Sequence, residues 1–405
     1  MAAFAYLHEC FPEYTKTFVY REVAAMPGEP FVFSVREPEA EDRAKMEALA
    51  VDVRYLPPEA ELRAQIEGER GSFSKQQRRA LSHWRGQKGD STRVFEALWL
   101  GRELRALGVS HVHAHFAGLA ARTAWLVREL WGIGYSFTGH ADDIFSPEER
   151  PISLAMLVRD ARFIATETDY SRRWLEEKYA TARGKTHRVF NGIALAGFPP
   201  RAALAGPPRI LSVGRLVEKK GFPTLLAACA LLRDRGVGFR CDIVGDGPLR
   251  ATLAAQIAAL GLAAQVALLG PRPQSEVRQL LATARVFALA AQREGDGGSD
   301  NLPTVLMEAM AAAVPVVSTR VAGIPEMVVE GETGHLVAEQ DAPAFADALA
   351  LFLADAALAE QMGKSGRRRA EEKFAVAQTS ATLANLLASH TDAALPWWRR
   401  LLKIR

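Results

Sequence analysis

Residues 210–221 read ILSVGRLVEKKG, and the architecture follows from them. The apolar run at 210–213 predicts a buried strand, and a helical pattern begins at Thr224. Between them lie Gly214, Arg215, Leu216, Val217, Glu218, Lys219, Lys220 and Gly221. In a parallel sheet the loop that follows a strand opens on the ligand crevice. Glycines let the backbone approach a phosphate, and Arg215 and Lys220 are spaced to flank a diphosphate. Arginine can fork two phosphate oxygens, whereas lysine acts as a point charge. A solvated basic loop would carry the same residues, so this segment alone leaves both readings open.

A second stretch, EGDGGSDNLPTVLMEAMAAA at 294–313, bears on the choice. Glu308 falls on a predicted helix and Asp300 in the loop before it. Pro303 suits the first turn of that helix. The helix start offers free N–H groups and a positive dipole end to an anion. An acid in the loop and another on the helix could grip two sets of sugar hydroxyls. Alternatively Asp300 is an ordinary helix-start acid and Glu308 a surface residue. Yet Glu308 sits inside the apolar run 305–313, where a solvated charge is less expected.

Outward from these motifs, short apolar runs alternate with longer helical patterns. Strands are expected at 31–35, 111–115, 135–138, 163–166, 210–213, 241–244, 266–269, 286–290 and 314–318. Helices are expected at 224–234, 250–259, 275–284 and 304–313. This alternation predicts parallel sheets in an α/β fold. The segment 196–208, AGFPPRAALAGPP, reads as a linker between two such domains. Gly245, Asp246, Gly247 and Pro248 form a strand-to-helix turn without the full dinucleotide-binding register, which makes a dehydrogenase a poor reading.

Composition excludes several classes. The 405 residues are enough for two domains, and 49% hydrophobic with 24% charged residues is ordinary for packed cores. A net charge of +3 gives no global nucleic-acid signature. The scattered Cys10, Cys229 and Cys241 show no metal-ligand spacing and read as core thiols in a reducing compartment. The first ten residues lack a signal-peptide pattern, and no apolar run is long enough to span a bilayer. A cytoplasmic location is expected.

Taken together, GR-x4-KG at 214–221, VGDGPLR at 244–250 and the acidic-x7-Glu segment ending at Glu308 resemble the family 4 retaining glycosyltransferases. The finer resemblance is to colanic-acid and other exopolysaccharide glycosyltransferases. It is carried by FPEYTKTF at 11–18, HAHF at 113–116, FTGHADDIF at 137–145, VFNGI at 189–193, LLGPRPQSEV at 268–277 and STRVAGIPEMV at 318–328. The family usually has Glu where Asp300 stands and Gly where Asn301 stands.

The resemblance implies a GT-B fold, two doubly wound Rossmann-like domains facing across a cleft. Residues 1–200 would take the acceptor and 201–374 the nucleotide-sugar donor. Residues 375–405 would supply a helix returning to the first domain, followed by a basic tail. Arg215 and Lys220 match the diphosphate-binding cations, with Gly214 and Gly245 beside them. Glu308 matches the acid on the ribose hydroxyls, and Asp300 the acid near the donor sugar. Asn301, Leu302, Pro303 and Thr304 would lie along that sugar and the distal phosphate. Pro271 and Arg272 fall where the family packs the nucleobase. His140 matches the histidine that reaches the reaction centre, although a lone histidine after a strand is more often structural.

The implied activity is retaining, metal-independent transfer from a nucleotide sugar to a lipid-linked or oligosaccharide acceptor in exopolysaccharide or lipopolysaccharide synthesis. No cofactor is required, because the nucleotide sugar is a substrate. Two other classes remain: a sugar-nucleotide epimerase, which needs no acceptor, and a noncatalytic nucleotide-sugar-binding protein, which neither transfers nor hydrolyses. His113 and His115 share a strand face but have no third metal ligand nearby, and more simply line or pack the domain floor. Asp142 and Asp143 are adjacent, and no Asp-x-Asp motif of the metal-dependent kind is present; Glu294-x-Asp296 reads as an acidic turn.

Two basic, tryptophan-bearing stretches could meet an anionic membrane surface. One holds Lys75, Arg78, Arg79, Trp84, Arg85, Lys88 and Arg93. The other is the tail, with Trp397, Trp398, Arg399, Arg400, Lys403 and Arg405. Either could equally be a solvated surface.

Overall fold

The computed structural model describes residues 4–13, 16–40, 51–146, 148–199, 201, 206–295 and 297–390, the Asp142 side chain excepted. The tail tryptophans and part of the 196–208 stretch therefore lie outside the described residues. The chain divides into two units, one drawn from Met1–Gly192 and Ala377–Arg405, the other Ile193–Val376.

In the first unit the described strands are β1 (Phe4–Cys10), β2 (Phe31–Arg36), β3 (Val53–Tyr55), β4 (His111–His115), β5 (Gly134–Gly139), β6 (Ile164–Thr166) and β7 (Thr186–Arg188). They form one sheet in the order β3-β2-β1-β4-β5-β6-β7, with every pair parallel. A parallel sheet is buried on both faces, so its strands must be apolar or internally satisfied. Strand β4 is completely buried although three of its five residues are histidines. The register explains how: His113 lies beside Ser136, and His115 beside Thr138. His113 is bonded through Nδ1 to Ser136 Oγ at 2.8 Å and through Nε2 to Thr138 Oγ1 at 2.9 Å. His111 Nε2 reaches the same Ser136 hydroxyl at 2.8 Å.

The helix Val376–His390 closes this unit. Leu383 and Leu387 are buried in a cluster with Tyr6, Val19, Val32 and Phe163. Ser380 Oγ donates to Glu22 O at 3.2 Å, and Arg162 Nη1 to His390 O at 2.6 Å.

The second unit holds β8 (Arg209–Val213), β9 (Arg240–Val244), β10 (Val266–Gly270), β11 (Val286–Leu289), β12 (Val316–Thr319) and β13 (Gly334–Val337). Their order is β10-β9-β8-β11-β12-β13, again parallel throughout. Its core joins Ile210, Cys241 and Val286 of the sheet to Leu225 and Leu232 of the helix Phe222–Asp234 and to Phe345 and Phe352 of the helix Ala342–Ala354. Both units are thus doubly wound α/β layers.

Four strands were not anticipated: β1, β3, β7 and β13. Strand β1 is central, yet its sequence FAYLHEC ends in polar residues. Its His8 is buried by stacking on Phe11 at 4.5 Å and His115 at 5.2 Å, with Nε2 unbonded among the described residues, a packing that only the folded neighbours reveal.

Candidate functional site

All strands of the second sheet run one way, so the loops after β8, β9, β10 and β11 leave at one edge. The strand order reverses between β8 and β11, and ligands of open α/β sheets bind outside such a switch point. The loops there are braced closely. Gly214 N donates to Val244 O at 3.0 Å, Leu216 N to Asp246 O at 2.8 Å, and Leu249 N to Leu216 O at 3.0 Å. Gly245 has φ +140°, and a Cβ there would sit 1.9 Å from Gly214 O. Gly221, at φ +64°, would bring a Cβ to 1.7 Å from Ala290 O at the end of β11. Only glycine allows these backbones so near each other. Gln292 N donates to Lys219 O at 3.0 Å, tying the β8 loop to the segment after β11.

Charged groups meet on this frame. Lys220 Nζ lies 2.6 Å from Asp300 Oδ2, with side chains only 14% and 13% exposed. This ion pair joins the two loops that flank the switch point. The Lys220 stem runs along Gly214, where a Cβ would approach its Cδ to 3.3 Å. Arg215 is exposed and has no ion pair among the described residues.

Asn301, Leu302 and Pro303 are buried, and the helix Thr304–Ala311 begins directly after them. Pro303 is at the N-cap, one place ahead of the first-turn position expected, because its ψ of 110° is extended rather than helical. No side chain caps this helix, which leaves its first turn open to an anion. Glu308 is half-buried on the same helix, and its Oε1 accepts from Gln274 Nε2 at 3.2 Å. Gln274 begins the helix that follows Pro271 and Arg272, both exposed, so it links Glu308 to the loop after β10. Arg272 itself lies 3.5 Å from Glu276. The structure therefore brings Lys220 directly to Asp300 and Glu308 to the Pro271–Arg272 loop. Gln274 was given no role in the sequence, and Glu294, read there as part of an acidic turn, accepts at Oε1 from Lys219 N at 3.4 Å.

In the first unit His140 follows β5 and is buried. Its Nδ1 is 2.8 Å from Glu167 Oε1, and its backbone N–H donates to Asp143 Oδ1 at 2.7 Å. The other Asp143 oxygen accepts from Ala117 N, and Asn191 Nδ2 donates to Glu167 Oε1. Burial pulls the imidazole pKa down, but the charge and hydrogen bond of Glu167, with Asp143 and Glu22 adding, outweigh it and raise the pKa above 6.5. Burial pushes the Asp143 carboxyl up to about 7, against the opposing pull of His140. The His140 Nε2 is buried with no partner among the described residues. Its ring lies 4.3 Å from that of Phe116.

Sequence reading missed Glu167. The signal lay in the topology, since β5 and β6 pair with Gly139 beside Thr166, which puts His140 and Glu167 at the next matched position. His115 Nε2 contacts Glu22 Oε1 at 2.8 Å, so both histidines considered as a metal pair have partners within the fold. Among the described residues no group of three His, Cys, Asp or Glu is placed to hold a metal ion.

Of the basic stretch, Lys75, Arg78, Arg79, Arg85 and Lys88 are exposed. Arg93 is buried and paired with Glu96 at 2.7 Å, and Trp84 packs edge-on to Trp125 at 5.8 Å. Arg93 is consequently unavailable to a surface, whereas Trp84 is only partly buried. No single helix among the described residues is long and apolar enough to cross a membrane.

Comparison with known proteins places this frame. Residues 199–369 match the family model of the glycosyl transferases group 1. WcaL of Escherichia coli (strain K12), a candidate colanic acid biosynthesis glycosyltransferase, is 40% identical over 199 residues, 48% of this chain and 49% of that one. The chain thus spans about half the length of that relative. The D-inositol 3-phosphate glycosyltransferase of Corynebacterium glutamicum (strain R) is 30% identical over 304 residues, 68% of this chain and 71% of that one. Among solved structures, Anabaena Alr3699/HepE in complex with UDP superposes with a TM-score of 0.73 at 16% identity, over 96% of this chain and 100% of that one. The fold is GT-B, and the chain belongs to the group 1 glycosyltransferases.

Proposed function

We propose that the protein transfers a sugar, with retention and without a metal, from a nucleotide-sugar donor to a lipid-linked or oligosaccharide acceptor of a surface polysaccharide. The observation that carries this reading is the Lys220–Asp300 ion pair at the switch point of the second sheet. It sets a cation for the diphosphate and an acid for the donor sugar side by side. Arg215 supplies a second cation, and the uncapped start of the helix Thr304–Ala311 supplies amide dipoles. Such groups stabilise a departing nucleoside diphosphate electrostatically. Gly214 and Gly245 admit the diphosphate to the backbone, with Asn301, Leu302, Pro303 and Thr304 beside the sugar. Glu308 takes the ribose hydroxyls, and Pro271 and Arg272 the base. His140, held by Glu167 and with Nε2 unengaged in its own unit, serves the transfer step. The first unit takes the acceptor. Support also comes from the relatives, whose names include glycosyltransferases of colanic acid and of D-inositol 3-phosphate, and from the UDP bound to a neighbour of like fold.

The work site we assign is the cytoplasmic face of a membrane, with Lys75, Arg78, Arg79, Arg85 and Lys88 toward anionic headgroups. A panel of nucleotide sugars, scored for slow donor hydrolysis and for transfer, tests the activity. Hydrolysis of at least one donor that persists in excess chelator is expected. Epimerisation of the donor, or tight nucleotide binding with no turnover of any donor, would overturn it.

A further inference from the structure

The first sheet has its own switch point, between β1 and β4. A cavity of about 740 Å³ lies elsewhere in this unit, around Arg102 and Arg128, but there the guanidinium groups are matched by Glu69, Glu103 and Glu129. The cavity at the switch point differs. Its volume is about 580 Å³, within the ~300–1,000 Å³ usual for small-molecule sites. Glu9, at the end of β1, and Phe116–Leu119, after β4, help to line it.

Its carboxylates are accounted for. Glu9 pairs with Arg36 at 3.1 Å, and Glu148 with Arg150 at 2.7 Å. Asp90 accepts from Ile152 N at 2.9 Å, and both oxygens of Asp143 accept backbone amides.

Arg122 lines the same cavity and is not accounted for. It is only 7% exposed, and its Nε donates to Ile152 O at 3.1 Å. Neither Nη group has a partner among the described residues. The carboxylates of Asp90, Glu148 and Glu9 act on Arg122 through space, but no hydrogen bond among the described residues occupies its Nη groups, and its fork matches two oxygens of one anion. A second observation points the same way. Arg122 belongs to the first turns of the helix Leu119–Trp131, whose N-cap, Gly118, supplies no side-chain acceptor. The N–H groups of Gly118, Leu119, Ala120 and Ala121 have no partner among the described residues. Gly118, Leu119 and Arg122 all line the cavity.

We propose that this cavity seats a phosphoryl group of the acceptor on the Arg122 guanidinium and the amides that open the helix Leu119–Trp131. The assignment to an acceptor rests on the glycosyltransferase reading; the anion seat itself does not. The remaining volume leaves room for the sugar that the phosphoryl group anchors.

Calorimetry with inorganic phosphate, in the presence of saturating nucleoside diphosphate to fill the second unit, tests the seat. Saturable binding at millimolar phosphate is expected. Arg122→Gln should weaken it at least tenfold while nucleotide affinity stays within about twofold, since one charge-assisted contact is worth roughly 1.5–3 kcal/mol. Leu119→Pro removes an amide donor at a position where helices tolerate proline, and should weaken phosphate severalfold without changing any charge. It serves also if Arg122→Gln fails to fold. Competition by a short prenyl diphosphate below the concentration needed for a hexose phosphate assigns the phosphoryl group to a lipid-linked acceptor; the reverse order assigns it to a soluble one. Protein that binds nucleotide but not phosphate overturns this inference alone. Equal phosphate affinity in wild type and both variants overturns it as well. Phosphate binding without any nucleotide binding supports the seat and overturns the donor reading of the second unit.

Discussion

Lys220 has two claims on its charge. In the described structure its ammonium is 2.6 Å from Asp300, whereas a bound diphosphate would draw it away. Lys220→Ala and Arg215→Ala should each lower nucleoside-diphosphate affinity about ten- to a hundredfold, from a lost charge-assisted contact of roughly 1.5–3 kcal/mol. Calorimetry reads this, and unchanged affinity in both would remove them from the site. Asp300→Asn should cut turnover yet leave nucleotide affinity equal or higher, because it releases Lys220 from its competitor. Glu308→Gln should weaken the free nucleotide. His140 offers a test by pH. Glu167 holds its pKa above the ordinary 6.5, so Glu167→Gln should lower it, as an imidazole titration by NMR would show. The sign for stability follows from the raised pKa. The His140–Glu167 contribution is complete below pH 6.5, and is lost as pH rises through the folded-state pKa. Asp143, raised from 3.8 to about 7, acts in the same direction, since ionising it in the fold costs stability between those values. Denaturation of wild type should therefore show stability falling as pH rises through neutrality, with a shallower slope in Glu167→Gln. The charged candidates were legible because motif spacing reports loop chemistry. Glu167 and Arg122 were not, since each acquires its meaning from strand pairing or burial that spacing does not encode.

At the scale of elements, the tight crossing of the β8 and β9 loops gives the sharpest expectation. Gly245→Ala would place a methyl 1.9 Å from Gly214 O at a positive φ. It should destabilise by about 2–4 kcal/mol and weaken nucleotide binding, because the Gly214 loop must move. Gly238→Ala, with nothing within 4 Å of the added carbon, is the comparison and should be near neutral in urea denaturation. Equal stability of the two variants would show that the loops yield freely. The strands of this unit could be read in advance to within two residues, from β8 to β12, because each is a short apolar run bounded by Gly, Pro or charge. The helix Arg250–Ala259 was bounded to the residue. Strands β3, β7 and β13 read VRY, THR and GHLV, too short and too interrupted by polar residues to show an apolar run. Strand β1 escaped for a different reason: its histidine and glutamate mask a strand whose Tyr6 and Leu7 are fully buried.

At the scale of the whole chain, the first unit is discontinuous, with the second inserted between Gly192 and Ala377. Leu383→Ala should cost about 2–5 kcal/mol, the usual range for a buried leucine. The loss should appear as faster hydrogen exchange in β1, β2 and β6, with nucleotide affinity in the second unit retained. Uniform loss of protection in both units would contradict the division. The insertion also sets an order of events during synthesis. The second unit leaves the ribosome complete, while the first still lacks its closing helix Val376–His390. At roughly 5–20 residues per second, Tyr6, Val19 and Phe163 wait on the order of ten seconds or more after residue 192 for Leu383 and Leu387 to cover them. By the end of that interval the nascent chain carries an uncovered greasy face together with a finished second unit. It is the stage at which a chaperone would be most useful, and at which stalled synthesis would most readily lead to aggregation.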